Sequence, residues 1–359
     1  MARRDRRVMS AALFAQLIDH ASTLGDQVLN ADQSRYLKRL NDDDAELMAK
    51  AKTASIVVTR QIRLVRLEWQ SQVYFCLLGL PEAEFLPEGL ELADITPALF
   101  SLGVLESGVR PPPTVSSAAI KDALNSAYIG SPDGYEGHDL AEIRPMFPEM
   151  FVYRSVSPAD YHKKGERVLG SFLAKAYLDG PIALDPETIV SFSETFERGS
   201  PKIPFEILIQ GILSISWENL YVEIYRCIEQ LYSASRVSIL RSHWASSMPL
   251  RDLAKLLEKH LSWRPKEEEA FREIVLLCGP DIVSAICAGL PESSSDTHED
   301  RCSFVASSLY RLRNQIVHYR PIHERVQKTE TEWNIVIRGM LAIMNTLYEN
   351  RAADFFGEE

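Results

Sequence analysis

The sequence predicts a mainly α-helical protein, with an antiparallel helical bundle in its C-terminal part and an N-terminal domain of α or α+β type whose fold is unassigned. Three observations predict this. Apolar residues recur at three- and four-residue steps through most of the second half. Turn-rich breaks separate those stripes. The first half shows no such regularity, and 359 residues exceed one typical domain of about 150. These observations put an N-terminal region at 1–200, with a candidate internal edge near 110–115, and a helical domain at 201–353.

In chain order, residues 10–50 read as helical with mixed charge on the exposed side. Ser55–Leu80 is rich in apolar residues at a spacing that suits neither helix nor strand. Pro111-Pro112-Pro113 interrupts any regular element and marks a linker or domain edge. Residues 130–149 read as a long loop of turn residues. A helix over Asp160–Leu178 stops at Asp179-Gly180-Pro181.

The second half is more regular. After a break at Gly199–Pro204, Trp217, Leu220, Tyr221, Ile224, Tyr225, Ile228, Leu231 and Tyr232 make one wide apolar stripe. Leu250, Leu253, Leu257 and Leu261 make a second, ended at Arg264-Pro265. Phe271, Ile274, Val275 and Cys278 make a third, ended at Gly279-Pro280. A polar loop from Pro291 leads into a helix capped by Thr297 or Asp296. That helix carries Val305, Leu309, Leu312 and Ile316 on one face and stops at Pro321. The last helix repeats Trp333, Val336, Ile337, Met340, Ile343, Met344, Leu347 and Tyr348. Stripes of this width, joined by short connections, pack as a bundle.

Composition narrows the class. At 46% hydrophobic and 25% charged, the chain is an ordinary globular one, not a low-complexity segment. No apolar run approaches the ~18–20 residues of a membrane span, and the basic start Met1–Arg7 lacks a signal peptide's apolar core. A cytoplasmic protein with no membrane partner is therefore expected. The five cysteines (Cys76, Cys227, Cys278, Cys287, Cys302) form no C-x-x-C pair, which fits reduced, structural thiols. Neither a metal site nor a cofactor is expected from them. A net charge of −11 argues against a broad nucleic-acid coat. Locally, Arg301–Arg351 holds eight Lys/Arg against four Asp/Glu, a segment of +4. That permits a basic groove, although a solvated helix face explains it equally.

One segment carries chemistry: Leu309-Tyr310-Arg311-Leu312-Arg313-Asn314-Gln315-Ile316-Val317-His318-Tyr319-Arg320-Pro321. Within it, Arg313-Asn314-x-x-x-His318 resembles the Arg-polar-His motif of the HEPN superfamily, set at the end of a bundle helix. Arg311 to His318 fits a six-residue spacing, but Leu312 is apolar where that family has a polar residue. The preceding helix, the polar loop and the final amphipathic helix are similar to that family too, over about 150 residues. The resemblance implies a metal-independent endoribonuclease acting in anti-phage defence or a toxin–antitoxin system. It also implies RNA as partner, a homodimer through the bundle, an antitoxin or phage-derived trigger, and a sensing role for the N-terminal region. The alternative is a non-catalytic HEPN-like module for dimerisation or partner binding.

The side chains themselves support this chemistry. On a helix Asn314 and His318 share a face, one turn apart. His318 falls in the last turn, where the carbonyl dipole favours an imidazolium able to act as acid or base. Arg313 offers a planar fork for phosphate oxygens. Arg313 and His318 are five residues apart, about 140° around a regular helix. Both reach one phosphate only if the helix end loosens or a second copy contributes. An arginine and a histidine near a helix terminus also fit a plain C-cap and a surface histidine.

Other candidates are weaker. Arg311 is a candidate RNA-binding residue on the helix, and Tyr319, Arg320 and His323 just beyond the motif are further candidates, or loop residues that face water. Glu268 and Arg272 match a Glu-x-x-x-Arg pair, as would any i,i+4 surface pair. Glu229 is placed to orient a catalytic group. Arg236 and Arg241 follow its helix as phosphate ligands or caps. His138 and Asp139 stand in a Gly-rich loop without a completing partner. Asp42–Asp44 and Glu267–Glu269 read as solvated helix ends.

Overall fold

A computed structural model describes residues 6–28, 34–38, 40–126, 135–177, 180–244, 248–261, 263, 266–291, 297–318 and 326–356. Its contacts divide the chain into two units, Met1–Gly165 and Glu166–Glu359. The protein is mainly helical, with a small antiparallel sheet in the first unit. Among the described residues no helix is long and apolar enough to cross a membrane.

The first unit runs α1 (Arg6–Thr23), α2 (Asp42–Lys50), β1 (Lys52–Val57), β2 (Arg63–Trp69), β3 (Gln72–Leu78), β4 (Leu90–Ala93), α3 (Pro97–Ser107), α4 (Ser117–Ser126), α5 (Leu140–Ile143) and β5 (Met150–Ser155). The strands pair antiparallel in the order β1-β2-β3-β5-β4. Residues 10–50 are thus two helices with irregular chain between them, and Ser55–Leu80 is largely strand. The ambiguous spacing of that stretch has a physical cause. Val65, Leu67, Cys76, Leu78, Met150 and Val152 join the core beneath the helices. Their neighbours Leu64, Phe75, Leu77, Phe151 and Tyr153 are buried as well. A sheet covered on both faces loses the in-out alternation that marks a strand.

The β2–β3 turn is made by Gln70 and Ser71, both with positive φ (45° and 65°), and it sets Trp69 opposite Gln72. Two-residue hairpin turns of this hand usually announce themselves by Asn-Gly or Asp-Gly, and Gln-Ser gives no such signal. α3 lies close on the sheet through Gly103, where a Cβ would come within 2.5 Å of Met150 Sδ. Pro111–Pro113 connects α3 to α4 inside this unit.

The second unit is helical throughout its described elements: α6 (Gly165–Lys175), α7 (Pro186–Arg198), α8 (Phe205–Ile212), α9 (Trp217–Glu229), α10 (Ala234–Trp244), α11 (Leu250–Leu261), α12 (Glu267–Val275), α13 (Pro280–Cys287), α14 (His298–Val317) and α15 (Glu330–Phe356). α15 packs against α7, α9, α11 and α13. Where α13 meets it, a Cβ on Gly339 would stand 2.0 Å from Ile286, so only glycine lets the helices approach.

Where the sequence suggests a junction at 200/201, the contacts divide at Gly165/Glu166. Polar anchors tie α6 and α7 to the later helices. The buried Arg167 guanidinium donates to the carbonyls of Phe196 (2.8 Å), Glu197 (3.0 Å) and Gly199 (2.9 Å), which satisfies the open end of α7. Asn334 of α15 donates to Ala183 O and accepts the Asp185 N–H, each at 3.0 Å.

Candidate functional site

The site grows from the C-terminal end of α14. Thr297 starts this helix by accepting the Asp300 N–H at 3.2 Å. Its buried stripe of Cys302, Val305, Ala306, Leu309 and Leu312 seats it against α9, α12 and α13. Tyr221 of α9 donates to Leu309 O at 2.7 Å. Such packing leaves residues 313 and 314 half-buried at the margin of the core.

The helix ends at Val317, earlier than Pro321 requires, and this decides the geometry. The His318 N–H still bonds to Asn314 O at 3.0 Å, but its φ of −105° and ψ of 90° turn the backbone out of the helix. The separation of ~140° expected on a regular helix therefore does not apply. His318 Nε2 stands 3.4 Å from Arg313 Nη1 within one chain. Bringing the two together needs no second copy.

Arg313 is the hub. Nη1 donates to Asn314 Oδ1 at 3.1 Å as well as facing His318, and Nη2 donates to Glu229 Oε1 at 3.1 Å. Glu267 Oε2 lies 3.9 Å away. Burial works against the Arg313 charge, yet Glu229 and Glu267 outweigh it and hold the guanidinium above its usual range. Burial pushes the Glu229 carboxyl up; Arg313 pulls the other way and Glu267 reinforces the push. Because Arg313 donates to Nε2, that ring nitrogen must present its lone pair in this arrangement.

Two open grooves flank this cluster, and Arg313 itself lines the second. One, of about 540 Å³, is lined by Glu268, Tyr310, Arg311, Asn314, Gln315 and His318, among others. The other, of about 450 Å³, opens on the side of Glu229 and Glu267. Arg311 is exposed in the first groove and has no ion pair among the described residues.

The expected residues are distributed unevenly over this site. Arg313, Asn314 and His318 come together, and Arg311 and Glu268 join Asn314 and His318 around one groove, which Arg313 does not line. Glu229 accepts from Arg313 Nη2 at 3.1 Å. Tyr319, Arg320 and His323 lie outside the described residues. Arg236 is neither cap nor anion ligand, since Glu269 and Glu273 of α12 hold it at 3.0 and 3.1 Å. His138 is buried in the first unit, and Asp139 pairs with Lys38 at 2.9 Å. Three acids read as solvated helix ends are engaged instead, Glu269 through Arg236 among them. Glu267 faces Arg313, and the buried Asp44 accepts the Ala98 N–H at 3.2 Å. Acids in a helix's first turn have a dipole reason to be there, and that local reason hides any further role. Among the described residues no group of His, Cys, Asp and Glu stands close enough to hold a metal ion.

The sequence matches no protein-family model and no curated protein, and the structure matches no solved one.

Proposed function

We propose that the chain is a metal-independent endoribonuclease of HEPN type, with Arg313, Asn314 and His318 as its catalytic residues. One observation carries the reading: the Arg313 guanidinium stands 3.1 Å from the Asn314 amide oxygen and 3.4 Å from the His318 imidazole, and the amide and imidazole line an open groove. An entering phosphate takes the Nη1 donor from His318, and the freed Nε2 lone pair accepts the proton of the 2′-hydroxyl. The 2′-oxygen bonds to phosphorus, the bond to the 5′-oxygen breaks, and that oxygen takes a proton from water. Arg313 stabilises the charge on the phosphorane. The products are a 2′,3′-cyclic phosphate and a 5′-hydroxyl, and DNA is resistant because it lacks the nucleophile.

The likeness to HEPN proteins extends the proposal to a cytoplasmic defence or toxin role. In it the first unit senses a phage-derived trigger or binds an antitoxin, and the helical unit forms a homodimer. Sizing at micromolar concentration tests the dimer, since a stable 40.6 kDa species is the monomer. A second reading, a non-catalytic docking module, is favoured by the two carboxylates beside Arg313, which compete with a phosphate for its charge.

The deciding experiment is cleavage of a labelled structured RNA in excess EDTA, with wild type beside His318→Ala and Arg313→Ala. Cyclic-phosphate ends that vanish in both variants support the nuclease. Silence of the wild type, with and without phage or host extract, moves the assignment to the docking module.

A further inference from the structure

The groove on the Glu229 side of Arg313 has a lining that the Arg313–Asn314–His318 cluster does not explain. Its volume of about 450 Å³ lies in the range of small-ligand sites. Helices α9, α11, α12, α14 and α15 contribute to it, and Trp263 reaches it from the short connection between α11 and α12. Trp263 is half-buried and has no ring stacked on it among the described residues. Arg251 and Lys255 stand one turn apart on α11, both exposed, so their cations share a wall. Arg251 is steadied over the Phe356 ring at 5.4 Å, and Lys255 meets Asp252 at 3.5 Å.

These groups discriminate between ligands. A purely apolar molecule would leave the two cations unused. A bare anion would meet Glu258 as well as Glu229 and Glu267 on the same lining. A nucleobase with one flanking phosphate suits both: the indole face takes the base, and the cations take the phosphate.

We propose that this groove is a base-stacking subsite for single-stranded RNA, holding the nucleotide next to the phosphate at Arg313. The proposal rests on the ribonuclease reading and adds a substrate class, unpaired or looped RNA, because a base inside a duplex is not available to stack on an indole.

The test is fluorescence anisotropy with a labelled single-stranded RNA of about 12 nucleotides. The full chain carries His318→Ala so that the probe stays intact. Adding Trp263→Ala is expected to weaken binding about 5- to 100-fold, the loss of one base stack, while Trp263→Phe keeps most of the affinity. The alanine penalty should disappear on an abasic probe with the same backbone. Arg251→Gln should flatten the dependence of log Kd on log salt by about 0.7. Equal affinity of the Trp263→Ala chain and its parent overturns the subsite and leaves the nuclease to its own cleavage assay. So does an equal penalty on intact and abasic probes, because the indole then supports the fold and not a base. A parent that ignores the probe while wild type cleaves RNA overturns the subsite alone, whereas no binding and no cleavage overturn both readings.

Discussion

His162 in the first unit and His318 in the second sit in opposite surroundings. His162 is buried, and partners hold both of its ring nitrogens: Ser155 Oγ lies 2.9 Å from Nδ1, and Glu88 O lies 3.1 Å from Nε2. A carbonyl can only accept, so Nε2 carries the hydrogen, and the Ala159 N–H donates to Nδ1 at 3.4 Å, so that nitrogen presents its lone pair. The ring is a neutral cross-brace between β5, the β3–β4 connection and the turn at Asp160–Lys163. His318 is exposed at a helix terminus, with one guanidinium beside it and an open groove in front. Saturated hydrogen bonding with burial marks a structural histidine, and an accessible nitrogen beside a cation marks one available for chemistry.

Replacing each histidine in turn is the strongest way to break this comparison. His318→Ala should lower RNA cleavage by about 10²–10⁴-fold, as loss of a general base does, and shift Tm by no more than about 1 °C. Arg313→Ala should match it in a single-turnover assay, since the two act on one phosphate. Should His318→Ala instead melt the helical unit and spare cleavage, the distinction collapses.

His162→Ala should do the reverse. It takes the ring partner from the buried Ser155 hydroxyl, while the Tyr161 hydroxyl still donates to Glu88 O, at a cost of about 2 kcal/mol. Thermal melting followed by circular dichroism should show the first unit's transition fall by roughly 5–10 °C. Cleavage measured well below that transition should stay within about twofold, because the first unit supplies no group to the reaction as proposed.

How far these surroundings are legible in the sequence differs between the units. α9, α11, α12 and α14 keep a more exposed side opposite their apolar stripes, so periodicity finds them. The Arg313-Asn314-x-x-x-His318 spacing is local to one helix and readable for the same reason. The first unit hides its sheet because both faces are buried and its hairpin turn is Gln70-Ser71. Long-range pairings were not readable. Glu267 lies 46 residues before Arg313 in sequence, and no local pattern brings the pair to 3.9 Å. The end of α14 at Val317 was equally hidden, because the nearest stop signal in the sequence is Pro321.

Glu229 sharpens the comparison from the charged side of the site. Its folded carboxyl is raised above its ordinary value by burial, against the pull of Arg313. A raised carboxyl stabilises the folded chain below the unfolded value of about 4.3, and that contribution is lost as pH rises through the folded value. Neutral glutamine has no such dependence. The Tm of Glu229→Gln relative to wild type should therefore climb from about pH 4 to about pH 7. Cleavage should fall about tenfold, because Arg313 loses the partner that aims its fork. Unchanged cleavage would show that Asn314 and the packing of α14 hold Arg313 without it.

The smallest effect should come from Asp185, which is polar and paired like the site residues but does only structural work. It caps α7 by accepting the Thr188 N–H at 2.7 Å and pairs with Arg338 of α15, which also reaches Glu187 at 3.4 Å. Burial raises the Asp185 carboxyl, but its bonds to Arg338 and Thr188 prevail and hold it below its ordinary value. A lowered carboxyl contributes stability above the unfolded value of about 3.9, and the contribution is lost as pH falls through the folded value. Asp185→Ala should thus cost about 1 kcal/mol at neutral pH, seen as a drop of a few degrees in Tm, and the gap should close toward about pH 2–3. RNA cleavage should not change at all. A cleavage defect in Asp185→Ala, with Tm intact, would mean that α7 helps position the end of α14, and that scaffold and site in the helical unit are not separable.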